Sequence, residues 1–301
     1  METSSQIQLS SIIHWLDGFF FGAVSNLPLA IFRIVLGLII AFYTLRGAKD
    51  FPLFMGERSL YPNNMYKKIS SWGFSVIDLF PNSKLFPIIF PYLVSFAALV
   101  FAAGIFTPFT TVITYILWMS LNRRVNILRS SGDSLITILL FYFIFSDSGQ
   151  SLSIDRWFSD QSFGLDSTVK AWPLRLMQIQ VCVIYLHAYN FKIGGAFWRN
   201  GTALMNAVAF RPWGKAWVRG IIREPLISKT LNFMTLSFQI LIPFFIWPTE
   251  TRLIAIFCGV VMHIGMVLCL NLAEFGPLMV SAYLLFYDPL SVQTLVSMVG
   301  P

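Results

Sequence analysis

Residues Gln178 to Ala209 read QIQVCVIYLHAYNFKIGGAFWRNGTALMNAVA. An apolar run carrying Gln178, Gln180, His187 and Asn190 ends at Lys192, breaks at Gly194-Gly195 and resumes beyond Trp198 with Gly201-Thr202-Ala203. Lipid-facing helices are not built this way. In hydrocarbon every unpaired polar group is costly, so an ionisable residue at the end of a membrane segment is paired, hydrated or functional. Lys192 is therefore the first candidate for chemistry.

Composition around this stretch sets the class. Of 301 residues, 56% are hydrophobic and 12% charged, with a mean hydropathy of +0.70. A soluble domain is nearer a quarter charged. The reading is an all-α, polytopic integral membrane helical bundle forming a single domain over 1–301. The net charge of +7 fits an excess of loop Lys and Arg and calls for no nucleic acid. Cys182, Cys258 and Cys269 lie inside apolar runs in no CxxC pattern, which argues for buried apolar side chains over a disulfide framework or a metal site. The first basic residue is Arg33, so the N-terminal segment lacks the positive region of a secretory signal and the first span is expected to act as its own insertion signal.

The apolar runs predict about eight spans. Residues 1–26 hold an amphipathic stretch, with Leu9, Ile12, Ile13, Leu16 and Phe19 opposite Ser10, His14 and Asp17, too short to cross a core of about 30 Å and suited to the bilayer surface. Spans are expected at 27–45, 86–106, 109–121, 130–146, 173–192, 228–247, 252–270 and 275–288. Thr107-Pro108 makes the second and third an antiparallel hairpin. The basic, Trp-rich Arg211 to Glu224 suits a headgroup surface. With eight spans, sixteen Lys and Arg fall on the face of Lys192 and four on the other, which places the Lys192 face in the cytoplasm.

Within the spans, Arg33 either snorkels to the interface or pairs inside the bundle with Asp133 or Glu274. Asp133 is placed either to cap the fourth helix or to serve in a site. Gln180, His187 and Asn190 share one helix face, with Lys192 rotated away from it. His187 and His263 are either helix-to-helix hydrogen-bonding residues or catalytic partners of Lys192. No HExxH, GxSxG, P-loop or GxGxxG pattern supports a zinc protease, a hydrolase or a nucleotide site. A transporter or immunity pore would need Gly and Pro breaks in paired spans, and only the break at Gly194-Gly195 is present.

Several blocks resemble the horizontally transferred transmembrane (HTTM) domain, the membrane module shared with vitamin K-dependent gamma-glutamyl carboxylase. They are Phe32-Arg33, Gly132-Asp133, Leu152-Ser153-Ile154-Asp155, Lys192, Trp198, Gly201-Thr202-Ala203, and His263 followed by Phe275-Gly276-Pro277-Leu278-Met279. Within that group the chain most resembles the bacterial sporulation-delaying protein B type, through Ile179-Gln180-Val181 with Ile184-Tyr185-Leu186, Trp198 with Gly201-Thr202-Ala203, and His263-Ile264-Gly265 through Leu284. The resemblance implies a multi-pass protein of the bacterial inner membrane, contacting the lipid bilayer, a secreted peptide toxin precursor and a small partner protein during toxin maturation or export. It also implies, as an alternative, a carboxylase-like enzyme in which Lys192 deprotonates a reduced naphthoquinone of the vitamin K kind. The candidate set from the polar residues of the chain is Lys192, His263, His187 and Asp133 as catalytic groups, and Arg33, Arg123, Arg124, Trp198, Asn190 and Glu274 as substrate-holding or structural ones, with no metal expected. Asp133 stands near the place of a carboxylase histidine, and the composition leaves no room for the carboxylase's large soluble portion.

Overall fold

A computed structural model describes residues 4–55, 59–60, 75–80, 83–124, 130–210, 214–270, 275–287 and 289. Thirteen α-helices lie among them. The chain divides into two compact units, Met1–Leu176 and Met177–Pro301.

In the first unit, α1 (Ser4–Phe21) leads through β1 (Ala23–Ser25) into α2 (Leu27–Gly47). Helices α3 (Phe86–Ala103), α4 (Thr107–Arg124), α5 (Ser131–Ile144) and α6 (Ile154–Asp160) follow, then β2 (Thr168–Lys170). Over Ser10–Gly18 helix α1 is exposed all round, Ile12, Ile13 and Trp15 included. Strand β2 pairs antiparallel with β1, Val24 opposite Val169, a short ribbon that the apolar periodicity did not disclose. Helices α2 to α5 pack in succession. Gly37 of α2 lies against the Ala98 carbonyl and Ala102 of α3, small residues that let two apolar helices approach closely. Leu29, Phe32, Leu36 and Ile40 are buried with Phe90, Val94 and Phe101, and the rings of Phe32 and Phe101 both meet Phe143 of α5 at 5.8 and 5.5 Å.

The hairpin expected between the second and third runs is present, but Thr107-Pro108 already belongs to α4. Pro is tolerated in a first helical turn, so the turn itself is made by 104–106. Gly104 closes α3 in the left-handed conformation (φ 69°), and a Cβ there would sit 2.5 Å from Ser153.

Helix α7 (Trp172–Ile193) begins in the first unit and runs into the second. There α8 (Ala196–Arg199), α9 (Ala203–Ala209) and α10 (Ala216–Ile222) are short, and α11 (Pro225–Phe245), α12 (Thr249–Cys269) and α13 (Phe275–Ala282) follow, the last continuing as a 3-10 turn over Tyr283–Phe286. Val208, Val218 and Ile222 form a small apolar cluster with Leu204 and Cys269 packed against it, which seats α10.

Three helices, Leu27–Gly47, Phe86–Ala103 and Thr249–Cys269, are long and apolar enough to cross a membrane. At 21 residues α12 spans about 31 Å. Helices α5 and α13 are apolar but shorter than a hydrocarbon core requires. Helices α7 and α11 have the length, at 22 and 21 residues, but carry more polar groups.

Arg33 neither reaches the surface nor pairs with Asp133. It is fully buried and donates through Nη1 to the carbonyls of Ser148 and Ser151 and through Nη2 to that of Leu152 at 2.5 Å. Asp155, just beyond that loop, accepts from the backbone N–H groups of Phe106 and Thr107, both at 2.9 Å, and so caps α4. The blocks Phe32-Arg33 and Leu152-Ser153-Ile154-Asp155 therefore meet in one knot. Arg33→Met should leave these carbonyls without donors and lower stability by about 3 kcal/mol or more. Arg33→Lys should recover part of that, because a point-like ammonium cannot fork across the loop. Thermal unfolding in detergent, followed by fluorescence, checks the order wild type, Lys, Met.

Candidate functional site

Helix α7 presents two faces that differ in burial. Gln178, Cys182, Tyr185, Tyr189 and Lys192 follow one another at intervals of four and three, one stripe of a 3.6-residue helix. The first three are buried and the last two half-buried. Gln178 donates through Nε2 to the Leu285 carbonyl at 2.8 Å, and the Cys182 thiol points at the Pro243 carbonyl, 3.9 Å away. The opposite face holds Gln180, His187 and Asn190. They share a side as their spacing requires, but His187 and Asn190 are exposed.

Tyr185 is the centre of the inner face. Its hydroxyl lies 2.7 Å from His263 Nε2 of α12 and 2.5 Å from the hydroxyl of Tyr283, directly after α13. All three side chains are buried, His263 at 1% exposure. Space for Tyr283 comes from Gly259, one turn before His263 on α12: a Cβ at that position would stand 2.0 Å from the Tyr283 hydroxyl. Phe238 of α11 and Phe275 of α13 close on the group edge-on, at 5.7 Å from Tyr185 and 5.9 Å from His263.

The hydrogen count leaves the chain of three one bond short. If Tyr185 donates to His263 Nε2, the imidazole carries its proton on Nδ1; if Nε2 donates, Nδ1 is a bare acceptor. In either tautomer Nδ1 is buried with no partner among the described residues. A phenol–phenol–imidazole chain with one open end can pass a proton along its length without water.

Two turns beyond Tyr185, about 10 Å along the axis, Lys192 places its ammonium 5.3 Å from the centre of the Trp198 ring. An aromatic face holds a cation without neutralising it. No carboxylate lies within ion-pair distance of Lys192 among the described residues. Trp198 is held in turn, because its carbonyl accepts from Asn232 Nδ2 of α11 at 2.8 Å.

The remaining expected residues are distributed elsewhere. Asp133 accepts from the backbone N–H and hydroxyl of Ser130 at 2.6 and 2.9 Å, and Ser130 in turn accepts from the Asp133 N–H. This capping box commits the carboxylate to starting α5. Arg123 and Arg124 close α4, Arg124 buried. Arg33, Asp133, Arg123 and Arg124 belong to the first unit; Lys192, Trp198, His187, Asn190 and His263 belong to the second. Glu274 lies outside the described residues. No group of three or more His, Cys, Asp or Glu side chains able to hold a metal occurs among the described residues.

The family model of the HTTM domain matches residues 21–290. The chain belongs to the HTTM-domain family. Neither the curated proteins nor the solved structures contain a match to it. The matched residues include the Arg33 knot and the Tyr185–His263–Tyr283 chain, and with its apolar helices the chain is an HTTM-domain membrane protein.

Tyr185 and Tyr283 escaped the reading of this HTTM domain from sequence because tyrosine passes as apolar in a hydrophobic run. The signal was present: Gln178, Cys182 and Tyr185 recur at helical spacing and mark a buried stripe opposite Gln180 and His187. Removing the middle hydroxyl should cost more than removing the end one. Tyr185→Phe leaves both His263 and the Tyr283 hydroxyl unpaired, a loss of about 1–3 kcal/mol, whereas Tyr283→Phe keeps the Tyr185–His263 bond. Gly259→Ala should displace Tyr283 and behave like the milder variant or worse. Melting temperatures in detergent check the ranking.

Proposed function

We propose that this HTTM-domain protein acts in maturation or export of a secreted peptide toxin in the bacterial inner membrane, as the sporulation-delaying protein B type does. In this reading it has about eight spans and an N-terminal interfacial helix, and a small partner protein delivers or receives the precursor. One observation carries it: Ile184-Tyr185-Leu186 and the stretch from His263-Ile264-Gly265 through Leu284, two distant blocks that carry the likeness to that type, contribute Tyr185, His263 and Tyr283 to one buried hydrogen-bonded chain. Residues that merely filled space would need no hydroxyls there. The chain moves or holds a proton in a dry setting, and Lys192 supplies a cation or, once deprotonated, a base.

A second reading is favoured by Lys192 itself. Its amine has an aromatic face at Trp198 and no carboxylate partner among the described residues, which suits a base. Bound there, a reduced naphthoquinone would supply the electrons that oxygen takes up, and that oxygenation would generate a stronger base. Lys192 Nζ would accept its hydroxyl proton and Trp198 would offer it a ring to lie against.

Lys192→Ala and His263→Ala, produced with the precursor and the partner protein, should each lower mature toxin at least tenfold while the protein stays in the membrane at its normal level. Toxin measured by mass spectrometry at the wild-type amount in both variants would dismiss the proton-transfer role. The second reading requires oxygen uptake by purified protein supplied with reduced naphthoquinone, abolished in Lys192→Ala.

A further inference from the structure

Helix α7 ends, α11 starts and α12 ends at one end of the second unit. Ser228 and Asn232, near the start of α11, donate to the carbonyls of Gly201 and Trp198, just past the end of α7. Lys215 donates from its backbone N–H to the Cys269 carbonyl at 3.2 Å and from Nζ to that of Val267 at 3.0 Å, both in the last turn of α12. The short helices α8, α9 and α10 make the connection there. Among the described residues from 192 to 229, six Lys and Arg stand against one acid, Glu224. Three of the six are engaged inside the protein: Lys192 lies on Trp198, Arg199 donates to the Ile193 and Gly194 carbonyls, and Lys215 closes α12. Arg219 and Arg223 have no carboxylate within ion-pair distance among the described residues.

Helix α10 explains what those two arginines face. Val218 and Ile222, four apart, form its buried stripe. Trp217 and Ile221 form a second stripe, exposed at 60% and 51%. Arg219 and Arg223 form a third, about 160° round the axis from the second at 3.6 residues per turn. Arg219 is half-buried and Arg223 exposed, and Arg223 keeps a helical backbone (φ −67°, ψ −22°), so the pair stays in register. The helix thus rests on the protein by one stripe and shows an apolar flank and a basic flank on either side of it. Like charges four residues apart repel, and an exposed indole gains by leaving water. A headgroup layer answers both at once. The Trp217 flank enters the acyl boundary, and the guanidinium forks meet phosphate oxygens.

We infer that α10 is an in-plane anchor that selects anionic over zwitterionic phospholipid, with Arg219 and Arg223 on the headgroups and Trp217 and Ile221 at the acyl boundary. The excess of cations around α10 supplies the charge complementarity. A zwitterionic headgroup also carries a phosphate, but its own ammonium offsets the attraction. This inference stands apart from the toxin and quinone readings, because it concerns only the surface that α10 exposes. Whatever this HTTM-domain protein processes, the end of α7 that bears Lys192 then stands at headgroup depth.

The test titrates full-length protein in detergent with phosphatidylglycerol or with phosphatidylcholine of the same acyl chains, bound lipid being read by native mass spectrometry. Phosphatidylglycerol should bind about tenfold more tightly, and the difference should shrink as salt is raised. Arg219→Gln/Arg223→Gln should cut the preference to about twofold at an unchanged melting temperature, whereas Arg219→Lys/Arg223→Lys should keep most of it. Lys49→Gln/Lys170→Gln, which removes the same charge from exposed positions of the first unit, should leave it intact. Equal binding of the two lipids by the wild type overturns the inference. So does a preference that survives in the Gln variant, or one that falls as far in the Lys49/Lys170 variant. Displacement of the bound phosphatidylglycerol by an acidic nonapeptide at equal concentration also overturns it, since the surface would then belong to a peptide.

Discussion

A polar group buried in so apolar a chain must find its partner inside the protein, because neither hydrocarbon nor a packed helix interface offers water. Arg33 shows the constraint at full strength. A guanidinium with no exposure has to spend its donors on backbone oxygens, and the loop from Ser148 to Leu152 is folded back to present them. The same loop leads to Asp155, whose carboxylate takes the open N–H groups at the start of α4. One buried cation thereby orders a polar connection and anchors a helix hairpin.

The second unit answers the constraint differently. Around Tyr185 the polar atoms are neutral, and they pair with one another in a line instead of with the backbone. Each centre keeps open atoms among the described residues: Arg33 Nε and Ser148 Oγ in the first, His263 Nδ1 in the second, with Asn232 Oδ1 and Gln239 Oε1 on α11.

Both centres lie within the residues that match the HTTM domain, and the close approaches at each explain why particular small residues stand where they do. Gly104 admits the loop of Ser153 against the hairpin, and Gly259 admits the Tyr283 hydroxyl against α12. Each is a site where bulk would be felt at a polar centre, not merely in a core.

What could be read from the residues was the helical membrane class, the helices of the apolar runs and the helix-starting position of Asp133, because composition, periodicity and capping are local properties. Spacing also placed Gln180, His187 and Asn190 together and Lys192 apart from them. Which side of α7 faces inward was not legible, since a helix with polar groups all round gives no preference until its neighbours are present; tertiary packing chose the side of Tyr185 and left His187 exposed. Sequence by itself determined that Arg33 and His263 would be costly to bury and so would need partners. Only the tertiary structure decided that those partners are loop carbonyls in one case and the phenol of Tyr185 in the other, because they come from segments more than seventy residues away, a distance no local pattern spans.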